Sequence, residues 1–407
     1  MAAIALALAS VASATAQNGT LTPYSKYGYG ILNDNATAAQ RSMGGVGYAM
    51  SSGRQANVMN PASYAAIDSL TFLFDIGADL SFLWSEDAGV REHSNTGGLD
   101  YITMAFPISK RIGASIGVLP YASTGYAFGN TIDNGSVSRT GSGNISMLYA
   151  GVGINPWNKF YVGANFAYMF GTTINDVYAT TITNSTSLFE RFMRVRDWKV
   201  DIGVQYSFNV NRENKFTVGV TFSPGKSMHG ETYGIHYDAS LDSKPDTTGY
   251  TKLSGLYSMP ATYGAGLNYT YDNRLTAELD FTYQPWKNAK YASLEDFETN
   301  TFDNRWKLAA GLQWIPRPRG SYIQRINYRI GAYFNHDYIM VRGNNVREIG
   351  ATVGFGFPIP MFKTTVNLGF EYKHRQAHPT PLVKEDYCLI TLGVNFNEMW
   401  FRKSKIY

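Results

Sequence analysis

The chain has 407 residues, only 16% of them charged and 14% aromatic, with 29 tyrosines, 40 glycines and one cysteine. A single cysteine excludes an intrachain disulfide framework and a Cys-rich metal centre, and a net charge of +4 without a clustered basic helix gives no support to nucleic-acid binding. No run of about 18 apolar residues follows the N-terminus, which excludes a bundle of membrane helices. A membrane β-barrel, in which only alternate residues face lipid, suits the Tyr- and Gly-rich composition.

Ala2 to Ala12 are small and apolar, and Ala14-Thr15-Ala16 before Gln17 has the form of a signal-peptidase site, so residues 1–16 read as an export signal without its basic region. Residues 17–69 hold Tyr24, Tyr27 and Tyr29, the small-residue run Met43-Gly44-Gly45-Val46-Gly47, and Asn60-Pro61-Ala62, with no sustained period. Some fifty residues without a period are too long for an ordinary loop, and too apolar for a disordered tail. A folded segment inside a barrel accommodates both facts.

From Leu70 the pattern changes. Leu70, Phe72, Phe74, Ile76, Ala78, Leu80 and Phe82 alternate with mostly polar residues, which is the period of a strand with one apolar face. The same reading gives fourteen strands, at 70–82, 101–107, 112–122, 144–154, 159–170, 198–208, 215–223, 263–271, 274–284, 306–314, 325–335, 349–357, 363–373 and 387–396. Most have the 9–13 residues that a tilted strand needs to cross a bilayer. The links between them alternate short and long: 108–111, 155–158, 209–214, 272–273, 316–324 and 358–362 against 83–100, 123–143, 171–197, 224–262, 285–305, 336–348 and 374–386. Short periplasmic turns opposite long extracellular loops mark a bacterial outer-membrane barrel. The expected fold is therefore all-β, a transmembrane antiparallel barrel of about fourteen strands over 70–407, plugged by the segment 17–69, in a Gram-negative outer membrane. An even strand number places both chain ends on the periplasmic side.

Trp84, Trp198, Trp286 and Trp306 fall at the outer ends of strands and Trp157, Trp314 and Trp400 at the inner ends, as an aromatic belt requires. The opposite strand face, which carries Asp75, Asp79, Lys199, Asp201, Glu278, Asp280, Lys307, Arg325, Arg329 and Glu371, points into the lumen as structural ion pairs. Within 144–170 that face turns apolar, with Met147, Tyr149, Tyr161 and Met169, a candidate ligand-binding patch or a packing surface for the plug. Gly117 and Pro120 stand in the third strand, where a missing ladder donor and a missing side chain favour a bend or gap. All six histidines map to the long loops, and His336-Asp337 is the one pair that a hydrolase reading can use; no nucleophile motif accompanies it, so no enzyme, metal or cofactor is expected.

The glycine run followed by Asn60-Pro61-Ala62, ahead of fourteen strands, resembles the FadL/TodX-like family of outer-membrane transporters of hydrophobic compounds, and the ending from Phe396 to Lys403 is similar to that of a divergent branch. The resemblance implies a hatch that carries Asn60, Pro61 and Ala62, no cofactor, and diffusion of a hydrophobic small molecule to a pocket above the hatch. An inward kink of the third strand at Gly117 and Pro120 would then open a lateral gate to outer-membrane lipid. No basic pair matches a fatty-acid carboxylate site. Some relatives act in export, so a structural or secretion-associated barrel that docks a periplasmic or surface protein is the alternative.

Overall fold

The computed structural model describes residues 22–132, 134–183, 186–238, 246–252, 254–292, 301–360 and 363–399. The export signal read at 1–16, the ending beyond Met399 and the expected inner tryptophan Trp400 lie outside them. Fourteen antiparallel strands close into a barrel: β1 (Thr71–Asp87), β2 (Val90–Pro107), β3 (Ile112–Ile132), β4 (Gly135–Trp157), β5 (Phe160–Thr181), β6 (Thr186–Asn209), β7 (Asn214–Ser223), β8 (Thr262–Tyr271), β9 (Leu275–Gln284), β10 (Arg305–Trp314), β11 (Asn327–Val341), β12 (Asn344–Pro358), β13 (Thr365–His378) and β14 (Lys384–Met399). Each pairs with the next in sequence, and β14 meets β1 from Lys384↔Glu86 to Met399↔Thr71, which leaves the barrel without a free edge at its seam.

The alternation read from the sequence is the alternation observed. On β5, Asn165, Ala167 and Met169 are buried, whereas Phe166, Tyr168 and Phe170 face out. Around the barrel the outward positions include Leu80, Ile202, Val220, Leu279, Ile330 and Leu392, all exposed. A continuous apolar belt of this kind is matched by the hydrocarbon of a bilayer and by nothing in water. Trp84 and Trp198 are exposed at one rim, and Trp157 and Trp314 at the other. Trp286 departs from the expected girdle. It is fully buried inside the extracellular end, stacked 4.3 Å from Tyr338, with the tilted Tyr29 ring at 5.8 Å.

Most of the segments expected as extracellular loops are strand. The ranges 83–100, 123–143, 171–197, 336–348 and 374–386 continue the ladders upward as hairpins, with tight turns such as Ala88-Gly89 and Arg342-Gly343. Above the belt the outer face meets water, so the apolar period lapses while the hydrogen-bonded ladder goes on. Arg325 is also placed differently: it ends a short helix, Tyr322–Arg325, in a periplasmic turn rather than facing the lumen from a strand.

The segment 22–69 occupies the lumen. It starts at the extracellular end, where the Thr22 N–H donates to the Gly125 carbonyl at 2.8 Å and its hydroxyl bonds Glu385. It passes through the helix Ala38–Arg41 and the 3-10 helix Pro61–Ala66, and enters β1 at the periplasmic end. An even strand count thus fixes where β1 begins and β14 ends, but not where the segment ahead of β1 starts. The barrel receives this segment on a band of glycines. Gly393 faces Ala38, Gly354 and Gly369 face Ser42, Gly311 and Gly331 face Met43, Gly219 and Gly266 face Tyr48 and Ala49, Gly203 faces Asn60, Gly163 faces Pro61 and Gly113 faces Tyr64, each so close that a Cβ would collide. This close packing presses the segment directly against the wall at these positions.

Candidate functional site

Two places concentrate features that packing alone does not require. The first is the seat of the N-terminal segment. Asn60 caps the 3-10 helix by accepting from the Ala62 N–H at 3.1 Å, and its amide donates to the Tyr48 carbonyl at 2.7 Å and the Val204 carbonyl of β6 at 3.3 Å. Asparagine supplies both acceptor and donors there, and proline at the next position costs nothing because the first N–H of a helix has no intrahelical partner. Across the lumen, Gly47 and Tyr48 donate to one oxygen of Asp280 at 2.6 and 2.9 Å, and Ala49 donates to Glu278 at 2.9 Å. Three consecutive buried N–H groups are thereby satisfied by two carboxyls of β9.

The second is a split in the barrel wall. β2 and β3 pair from Pro107↔Gly113 up to Ile102↔Val118, and no higher pairing joins them among the described residues. β2 continues upward on β1, and β3 continues upward on β4. Both strands change register at this level: β3 between Pro120 and Ala122 on β4, and β2 between Leu99 and Tyr101 on β1. Pro120 contributes no N–H and Asp100 is extruded by its bulge, so two irregularities face each other and the strands diverge. The freed edge of β3 turns to the N-terminal segment instead, with Ile31↔Ser123, Leu32↔Ala122 and Asn33 N–H to the Tyr121 carbonyl at 2.8 Å. Leu99 is level with Ala78, below Trp84 of the upper girdle, so the split opens inside the apolar belt. Gly117 lies just beneath it, in the paired stretch opposite Thr103, with the Tyr149 ring against it.

Behind the split is a cavity of about 460 Å³. Its lip is apolar: Leu99, Ile102, Val118, Leu119 and Pro120. Its far wall is charged. One rung of the barrel runs Lys307↔Asn335↔Glu348↔Arg375↔Glu385 across β10 to β14, all five buried. Arg375 bonds Glu348 at 2.6 Å, and Asp34 of the N-terminal segment bridges Lys307 at 2.5 Å and Arg305 at 3.3 Å. Arg41 ties the segment to the bulged Asp100 at 2.8 Å.

The residues singled out in the apolar part of the lumen lie elsewhere. Met147, Tyr149 and Met169 are buried in one continuous cluster with Met193, Val195, Met228, Tyr257 and Trp286, so the apolar half of the inner wall is filled by protein. Tyr149 is held by Ser115 at 2.8 Å and by Thr103. Tyr161, half-buried, is eight residues further down β5, roughly 25 Å at about 3.3 Å per residue, and is not brought together with the other three. Of the histidines, His336 meets Asp303 at 3.3 Å and His374 meets Asp386 at 2.8 Å at the extracellular rim. Burial pushes the Asp303 carboxyl up, but the Asn304 N–H and the His336 ring outweigh it and hold the group below its usual range. Asp337, next to His336, faces the cavity. Glu348, Arg375 and Glu385 escaped the sequence reading because they fall in segments expected to be loops. Lys307 and Glu371 were legible as lumen charges.

The geometry agrees with what sequence and structure comparisons return. A family model described as BamG matches residues 1–407. The chain belongs to the BamG family. No curated protein matches it. The BamG-family barrel shares its fold with a Pseudomonas aeruginosa FadL homologue (TM-score 0.62, 11% identity, 90% of this chain and 99% of that one). It shares it also with the CymD monoaromatic hydrocarbon channel (0.59, 11%, 92% and 100%) and the Ralstonia pickettii toluene transporter TbuX (0.60, 11%, 89% and 98%). It is a FadL-like outer-membrane β-barrel of fourteen strands.

Proposed function

We propose that this barrel, a divergent branch of the FadL/TodX-like transporters, carries hydrophobic compounds across the outer membrane by a lateral route. The observation that carries the reading is the split between β2 and β3, which opens a cavity of about 460 Å³ onto the apolar belt. A solute that leaves through it regains about 0.8 kcal/mol per CH₂ on entering lipid, and needs no aqueous path past a segment packed against wall glycines. In this reading Pro120 sets the gate, Gly117 allows β2 and Tyr149 to close tightly beneath it, Asn60, Pro61 and Ala62 anchor the hatch, and Met147, Tyr149 and Met169 brace the adjoining wall of β4 and β5, where Met147 pairs with Leu119 and with Met169. The solved relatives named as toluene and monoaromatic-hydrocarbon channels support the substrate class at the level of fold.

The test is to bridge the lips. Leu99→Cys and Pro120→Cys, in a background where Cys388 is replaced by serine, are joined by bismaleimides of graded length. Cells with the bridged barrel should accumulate a labelled hydrophobic compound at least fivefold more slowly than cells with the unbridged variant, with polar solutes unaffected. Equal rates would remove the lateral route. A second reading, a barrel that docks a periplasmic or surface protein, draws on the strands that rise well beyond the belt, such as β4 to β6. A partner that co-purifies in stoichiometric amount, with uptake unchanged by bridging, would favour it.

A further inference from the structure

The split leaves two strand edges without a neighbour, and their geometry fits one kind of partner. β1 and β2 are joined by a two-residue hairpin, Asp87↔Val90, whose turn residues Ala88 and Gly89 both have positive φ, 47° and 85°. In such a hairpin the flanking pair exchanges hydrogen bonds, and bonded and unbonded pairs alternate from there along the ladder. Val90, Glu92, Ser94, Thr96 and Gly98 are therefore the residues bonded to β1. Arg91, His93, Asn95, Gly97 and Leu99 aim their N–H and C=O groups at the split, where no hydrogen bond reaches them among the described residues. Arg91 and His93 stand at or above Trp84 and meet water. Gly97 and Leu99 are level with Leu80 and Ala78, inside the apolar belt, where an unpaired backbone group is costly.

The facing edge belongs to the N-terminal segment. Ile31 and Leu32 pair with Ser123 and Ala122 of β3, and Asn33 donates to the Tyr121 carbonyl. By the same alternation Leu32 turns its N–H and C=O away from β3, toward the cavity. The heights agree: Ala122 stands four residues above Val118 on β3, and Gly98 stands four above Ile102, the partner of Val118, on β2. The directions agree as well. β2 and Ile31–Leu32 both run antiparallel to β3, so they run parallel to each other. A strand laid between them would be antiparallel to both, the sense of every adjacent pair in the wall. The cavity lies between the two edges, lined by Ile31 and Leu32 on one side and by Gly97, Gly98 and Leu99 on the other. Two consecutive glycines carry no side chain that would hold a further backbone away. A hydrocarbon offers these edges no hydrogen bond, whereas an extended polypeptide carries donors and acceptors at their spacing on both of its sides.

We infer that the split is a one-strand vacancy, which takes an extended peptide segment of another chain between β2 and Ile31–Leu32. Its apolar side chains would face lipid beside Leu99 and Val118, both exposed, and alternate with polar ones that face the charged cavity. The inference goes beyond both readings above, since it uses the observed split and not the passage of a solute.

A fluorescently labelled nine-residue peptide of alternating leucine and threonine tests it, by anisotropy with the full barrel in lipid nanodiscs. A second peptide of the same sequence is N-methylated at alternate residues, which makes it more apolar but strips the donors of one ladder. The unmodified peptide is expected to bind at least tenfold more tightly, and a photoreactive residue at its centre should label β2 and the segment around Leu32. Asn95→Pro, which removes an N–H that faces the split and none that bonds β1, should weaken binding at least threefold. Equal binding of the two peptides overturns the inference, and this comparison uses the wild-type barrel, so it holds even if Asn95→Pro fails to fold. Binding that is unaltered when Leu99→Cys is bridged to Pro120→Cys overturns it too, as does no binding by either peptide. Uptake of the labelled hydrophobic compound is read separately, so the vacancy can fail while the lateral route stands, and the reverse.

Discussion

At the scale of single residues, the N-terminal segment is held by satisfied polar groups as well as by buried apolar side chains such as Tyr29, Met43, Val46 and Tyr64. Asp280 is the clearest case. Its Oδ2 accepts from both Gly47 and Tyr48, and these donors are buried where water cannot replace it. Asp280→Ala should cost about 2–5 kcal/mol, since each orphaned buried donor costs about 1–3 kcal/mol. Asp280→Asn keeps an acceptor for both N–H groups and presents an amide toward Glu278, so its cost should stay below about 1 kcal/mol, the size of one ordinary hydrogen bond. Urea titration of the refolded barrel, followed by protease access to the 43–60 segment, measures the difference. Equal loss in the two variants would mean that charge, not hydrogen bonding, holds the segment. The Asn60-Pro61-Ala62 motif belongs to the same class, since a residue with a short side chain that both donates and accepts is needed where Gly203 brings the β6 backbone against it.

At the scale of elements, each strand carries two messages, and only one was fully legible. The lipid-facing period located all fourteen strands, because an apolar side chain recurs at every second position wherever the strand meets hydrocarbon. On β9, Leu279 is 49% exposed and Glu278 beside it is 4% exposed. Leu279→Arg should therefore destabilise the barrel by about 2–4 kcal/mol near the midplane, while Glu278→Gln, which retains the acceptor for Ala49, should cost far less. Comparable losses in heat-modifiable gel mobility and in urea midpoint would contradict the register. The strand ends were not legible: above the belt, ladders such as Thr140↔Asp176 and Asn175↔Arg191 continue with polar residues on both faces. The lumen was legible in part. Inward charges such as Asp75 and Lys307 stand out by alternation, but the rung that joins Lys307 to Glu385 depends on strand register, which a single sequence does not contain. The split at Pro120 was legible as a place of weakness. That Asp100 bulges opposite it, and that Ile31 and Leu32 cover the freed edge, required the fold.

At the scale of the whole molecule, the barrel and its contents are two layers with different fastenings. The wall is a closed ladder of fourteen strands, each bonded to both neighbours though β2 and β3 meet only over their lower part, and such a ring opens only when many hydrogen bonds are lost together. The segment inside is secured by polar contacts, among them Asp280 and Glu278 at its middle, Arg41 to Asp100 near the split, Asp34 to Lys307, and Asn60 to the β6 backbone, and by apolar side chains such as Tyr24, Tyr29, Val58 and Tyr64 buried against the wall. Its glycine seats exclude water only while it is in place. Denaturant should consequently release the segment before it opens the wall, because local units of low stability unfold below the global transition. In planar bilayers the native barrel should conduct ions far less than an unplugged fourteen-strand pore. Moderate urea should add a stepwise, reversible rise in conductance before the heat-modifiable barrel is lost, and Asp280→Ala should lower the urea concentration at which that step appears. The wall glycines would then line the open path, so the opened state should pass small polar solutes that the native protein excludes. A single loss of conductance and barrel together, with no intermediate step in wild type or Asp280→Ala, would show that the segment and the wall unfold as one unit.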